Sequence, residues 1–226
     1  EASSDAITST TTGGNWSETT TWVGGVVPTA SDNVVIDGTV SVDSDVPCNN
    51  LIINDGKTLQ NLGYSDDLEV NGSLTNYGTI RNNPTESYDF NIDLHGDLTN
   101  GGSIINQQIS FVGATNQNIS MMTTAEFNGV YLVDEDYTST LTATSDLNLT
   151  DTELRGNISS YPASFILPSG SGFDLSFSGG NSNTSNIEIT GNGNSLSMSD
   201  GAYLAGYTYL SDLNLHGVIQ IDDDYV

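Results

Sequence analysis

Two stretches of this chain, Leu68–Ile80 (LEVNGSLTNYGTI) and Ile92–Ile104 (IDLHGDLTNGGSI), carry the same pattern 24 residues apart. Each alternates apolar and polar residues around Gly72 or Gly96, turns at Thr-Asn, and passes a second glycine, Gly78 or Gly102. Alternation puts successive side chains on opposite faces of an extended strand. Glycine, asparagine and aspartate suit the corners between strands, because they tolerate left-handed backbone. A repeat of this length, built of short strands and tight corners, specifies a solenoid whose coils stack on one another. A second echo, Tyr137–Leu149 against Tyr203–Leu215, lies 66 residues away, which is three coils of about 22 residues.

The expected fold is therefore all-β: a parallel β-helix (β-solenoid) with an N-terminal cap and almost no helix. No stretch keeps apolar residues at helical spacing for three turns. Residues 1–226 read as a single solenoid domain, with residues 1–60 as a capping start and 61–226 as stacked coils. Coils of about 22–24 residues give roughly nine or ten turns, a rod about 40–50 Å long at ~4.8 Å per hydrogen-bonded strand. A hydrophobic content of 35% matches the thin core of such a rod, with one or two inward side chains per strand. Strands are expected at Asn33–Ile36, Thr39–Val42 and Leu51–Ile53, with a Pro-Cys-Asn-Asn corner before the last. The apolar run Val130–Val133 reads as a strand buried on both faces. Trp16 and Trp22 read as part of the cap, since an open terminal coil exposes apolar ends and unpaired edges. After LNLHGVIQIDDDYV nothing resembles a cap, so the chain is expected to continue or to stack on a partner at that end.

Twenty-nine acidic residues face three basic ones, Lys57, Arg81 and Arg155, for a formal charge of −26. Binding to phosphate backbones needs clustered Lys and Arg, so nucleic acid is excluded as a partner, and anionic membrane surfaces are disfavoured. No apolar run is long enough to insert into a bilayer. The acidity serves either solubility, by keeping molecules apart, or divalent-cation binding. Cys48 is the one cysteine, so there is no disulfide framework; it reads as a small buried apolar residue.

The segment GNWSETTTWVGGVVPTASDNVVI (Gly14–Ile36), followed by GTVSVDSDVPCNNLIINDGKTL (Gly38–Leu59), resembles the eight-glycine domain. That β-rich module occurs in animal cell-surface and hyaluronan-degrading proteins and in many bacterial secreted proteins. The rest of the chain, with phrases such as NLIINDGKTL and ISFVGATNQNIS, resembles the repetitive β-solenoids of large secreted surface proteins of Bacteroidota, cargo of the type IX secretion system. The resemblance implies an extracellular or cell-surface location and an adhesive or structural role. The C-terminal sorting domain expected of such cargo has no counterpart here, and no catalytic residue carries over.

Among residues with chemistry to offer, His95 (DLHG) and His216 (NLHG) read as outward strand positions beside inward Leu94 and Leu215. Calcium is the cation that aspartate-rich turns suit, through hard oxygen ligands. The first candidates are Asp134 and Asp136 and the run Asp222, Asp223 and Asp224. No EF-hand pattern supports them, and the alternative is solvated turns. Tyr207 and Tyr209 fall on one face of a tyrosine-rich strip and could stack on sugar rings. The expected function is a non-catalytic extracellular structural or adhesive module of a larger cell-surface or fibre-forming protein. It would associate with itself end to end or with neighbouring segments, and no cofactor is expected beyond calcium. The alternative is a glycan-binding or accessory module of a secreted polysaccharide-degrading enzyme.

Overall fold

The computed structural model describes residues 6–63, 66–83, 90–135, 138–157, 162–170, 172–217 and 220–221. They form a parallel β-solenoid of about nine turns. The helical content among them is one 3-10 turn, Thr19–Thr21. Each full coil lays down three strands, one on each of three faces. Leu74–Asn76, Thr79–Arg81 and Asn91–Leu94 make one such set, and Leu98–Asn100, Ser103–Ile105 and Gln108–Phe111 the next. We call these the first, second and third faces; the third carries nine strands, so the rod is about 40 Å long at ~4.8 Å per step.

The 24-residue repeat is a coil placed on its predecessor. Leu68 pairs with Ile92, Leu74 with Leu98 and Ile80 with Ile104. Its Thr-Asn turn has a specific cause. Asn76 and Asn100 occupy inward positions, fully buried, at the corner between the first and second faces. Asn76 Nδ2 donates to Asn100 Oδ1 at 2.9 Å, and Asn100 Nδ2 donates to the Glu126 carbonyl at 2.9 Å. Their Oδ1 atoms accept from the backbone N–H of Gly78 and Gly102 at 3.1 and 3.2 Å. A polar ladder thus satisfies the corner's backbone groups inside an apolar core, where leaving them unpaired would be costly. The second glycine is required by space: a Cβ on Gly102 would lie 2.0 Å from the Gly78 carbonyl oxygen.

Elsewhere the inward columns are apolar. On the second face, Val40, Leu59, Ile80, Ile104, Phe127, Leu149, Phe177 and Met198 stack in one unbroken line, all buried. Outward positions carry hydroxyl pairs such as Ser120 Oγ to Thr99 Oγ1 at 3.2 Å. At the first end, Trp16 and Trp22 are both buried, packed edge to face with centroids 5.0 Å apart, and Trp22 Nε1 donates to the Trp16 carbonyl at 2.8 Å. Their rings are closed off from any ligand.

Several local expectations change. Val46–Cys48 is a strand, the first of the third face, where a corner was expected. Val130–Val133 is not buried on both sides, because Tyr131 points out and is 47% exposed. The 66-residue echo does span three coils, yet its register slides. Leu147 leads through Leu175 and Leu196 to Leu215, whereas Leu213 stands opposite Asn194. Leu215 therefore lies in an inward column but is 50% exposed, since Thr208–Gly217 has no further strand on its outer edge among the described residues. The two histidines accordingly differ. His95 follows a third-face strand and approaches Glu69 at 3.3 Å, while His216 is exposed within Thr208–Gly217.

Replacing Asn100 with Ala should cost about 1–3 kcal/mol, because buried corner N–H and C=O groups lose their partners. Gly102→Ala should also destabilise, whereas Gly180→Ala, where a Cβ meets nothing within 4 Å, should not. Urea denaturation of the three variants checks both statements.

Candidate functional site

The corner between the second and third faces is built alike in successive coils. A left-handed residue stands there each time: Asn106, Gly129, Asp151 and Gly179, with φ of 52°, 66°, 45° and 92°. Only glycine and short polar side chains with local hydrogen bonds adopt this conformation readily. The backbone ladder continues through it, as the N–H groups of Asn106, Gly129 and Asp151 donate to the carbonyls of Asn128, Thr150 and Ser178. Beside this corner an open trough of about 900 Å³ runs along the third face.

In-register stacking decides what lines it. One outward column reads Gln108, Tyr131, Glu153, Asn183 and Tyr203, each paired with the next. Five successive strands at ~4.8 Å make the lined length roughly 19 Å. Arg155, in the neighbouring outward column, stands 5.5 Å from the Tyr131 ring centre and 3.8 Å from Glu153. Glu153 also accepts from Ser185 Oγ at 3.0 Å, and Asp151 Oδ1 accepts from the Asn181 backbone at 3.3 Å. Both carboxylates of the trough thus have protein partners. Its floor is Gln107, 2% exposed, whose Nε2 reaches Asn82 Oδ1 and the carbonyls of Ile105 and Asn106 at 2.9–3.0 Å. Those three acceptors fix the amide's orientation and leave Oε1 enclosed without a hydrogen-bond partner among the described residues.

Toward the first end the third face becomes acidic. Asp66 is buried, its Oδ2 has no hydrogen-bond partner among the described residues, and burial, with Asp45, Asp43 and Asp67 nearby, raises its pKa. Asp93 stacks directly on Glu69 and is raised by burial and by the Asp67 and Glu69 charges, against lowering contributions from Asn91 and His95. Cys48 is buried and its thiol is pushed up to about 12, a desolvation effect that keeps it protonated.

Of the residues singled out for calcium, Asp134 is an inward residue at the end of a third-face strand, 2% exposed, stacked between Phe111 and Gly156. Asp136, Asp222, Asp223 and Asp224 lie outside the described residues. Among the described residues no three His, Cys, Asp or Glu side chains converge as a cation site. Tyr207 and Tyr209 are 65% and 54% exposed, at and beside the start of Thr208–Gly217 on the first face. Neither of them lines the trough on the third face.

Tyr131 and Arg155 do not stand out in the sequence as binding residues, and Tyr203 does so only as part of the tyrosine-rich strip with Tyr207 and Tyr209. The signal existed in part: Arg155 is one of three cations, and Glu153 lies one coil beyond Tyr131. From Glu153 to Asn183 the step lengthens to 30 residues, which breaks the period that would align Tyr203. In comparisons with protein-family models, with curated proteins and with solved structures, nothing matches this chain.

Asp66 yields a pH prediction. Its folded-state pKa exceeds the unfolded value of about 3.8, so the native state holds the proton more readily. Stability contributed by this group falls as pH rises through that window, and the cost is complete above the folded pKa. Asp66→Asn should therefore melt higher than wild type at pH 7, with the difference shrinking as pH approaches 3.8. Thermal melts across that range measure it.

Proposed function

We propose that the protein is a non-catalytic, rod-like structural or adhesive module, extracellular or at the cell surface, within a larger surface or fibre-forming assembly. The observation that carries this reading is the outer edge of Thr208–Gly217. There Leu215 continues an inward apolar column yet is half exposed, and no strand pairs beyond it among the described residues. Such an edge is a template for a further coil, from a neighbouring segment or from a second molecule. Among the described residues, the opposite end is packed by the buried Trp16 and Trp22. The extracellular setting is supported by the resemblance of Gly14–Leu59 to the eight-glycine domain, and by outward strand positions rich in Ser, Thr, Asn and Asp.

A second reading, a glycan-binding module, is favoured by the trough on the third face, with its tyrosines and side-chain amides.

Electron microscopy of residues 1–226, with and without calcium, should show rods about 40 Å long that associate through their ends. Leu215→Lys should abolish the association without lowering the melting temperature, because that side chain is half exposed. Leu147→Asp, at a buried position, should instead unfold the rod. Single rods at every concentration, calcium present or not, would remove end-to-end assembly from the proposal and leave display of the lateral faces.

A further inference from the structure

We infer that the trough on the third face is a binding site for a neutral polyhydroxylated chain, an uncharged oligosaccharide lying along the rod axis. The inference rests on the second reading above and locates its site away from Tyr207 and Tyr209.

Shape comes first. Five register-matched strands line the trough, and a length of roughly 19 Å suits a linear oligomer better than a single small molecule. Its volume of about 900 Å³ is in the range of ligand sites.

The lining chemistry then selects the ligand. Gln108, Asn128 and Asn183 each donate one side-chain N–H to a neighbour, to Ser110 Oγ, Glu126 Oε1 and the Asn181 carbonyl, at 3.0–3.1 Å. Those bonds orient the amides and leave each a carbonyl oxygen and a second N–H for a ligand. A group that both donates and accepts matches a hydroxyl, which does the same. Tyr131 and Tyr203 stand three coils apart in the column, and Tyr131 stays 47% exposed although Arg155 holds its ring. Exposed aromatic rings complement the apolar C–H faces of sugars.

Charge excludes the competing ligands. Asp151, Glu153 and Arg155 leave the trough with no excess of cations, on a molecule of formal charge −26, so a polyanionic chain would be repelled. A basic peptide would be drawn to the molecule as a whole. Within the trough, however, Glu153 is held by Arg155 and Ser185, and Asp151 by the Asn181 backbone. The acidic residues of this face concentrate instead toward its first end, around Asp66, Asp67 and Glu69.

The test is affinity electrophoresis of the intact chain in gels containing xylan, mannan, mixed-linkage β-glucan or dextran. Alginate and polygalacturonate serve as anionic probes, with oligolysine binding followed separately. The inference expects retardation by at least one neutral polysaccharide. Tyr131→Ala and Tyr203→Ala should each weaken it roughly tenfold, while the Tyr207→Ala/Tyr209→Ala double variant leaves it unchanged. Thermal melts confirm that each variant is folded. Retardation lost only in the Tyr207/Tyr209 variant would overturn the trough as the site while leaving glycan binding intact. Binding to the anionic probes or to oligolysine alone would overturn the neutral ligand. Retardation by none of the polysaccharides would overturn both the inference and the glycan reading, leaving the rod proposal to stand without them.

Discussion

The structure depends on one constraint: the backbone of each coil hydrogen-bonds in parallel register to the coil before it, so every side chain sits about 4.8 Å from its own counterpart. The choice of residue is then made column by column. An inward column must be apolar or must satisfy its polar atoms within itself, and the chain uses both solutions. The Val40-to-Met198 line is the first, and the Asn76–Asn100 ladder is the second. A corner column must accept left-handed backbone, which explains why Asn106, Gly129, Asp151 and Gly179 succeed one another. Outward columns have more freedom, and there the differences between coils accumulate.

The same constraint makes charge expensive wherever acids recur in one column. Glu69 and Asp93 are register partners, and burial, joined by the Asp67 and Glu69 charges, raises the pKa of Asp93 against lowering contributions from Asn91 and His95. The later coils of the third face avoid this by alternating chemistry: Ser110, Val133, Arg155 and Ser185 follow Asp93 in its column. A molecule of uniformly high negative charge thereby keeps one stretch of one face nearly balanced, and the trough lies there.

The fold was legible because its period was short and, in places, undamaged. Leu68–Ile80 and Ile92–Ile104 differ by no insertion, so alternation and spacing together placed both coils. The register failed to show where corners change length. Leu213 looked like the heir of Leu147, yet unequal steps of 28, 21 and 19 residues hand that place to Leu215. Near-identical tetrapeptides around His95 and His216 likewise end on different faces. The trough suffered most, because it draws single residues from five coils, and a column that crosses a 30-residue step has no signature in linear sequence. Tyr207 and Tyr209 are close in the chain, whereas Tyr131 and Tyr203 share a column only through stacking, three coils apart.

In-register stacking also makes the third face a ruler. The spacing of its outward side chains is set by the peptide hydrogen bond and cannot be tuned by substitution, so selectivity among linear ligands becomes a matter of commensurability. A chain whose chemical repeat matches a whole number of rungs would stay in phase with the column at every step. One that does not drifts out of phase within a few units. Inserting or deleting a whole coil would then lengthen or shorten the ruler without changing its graduation.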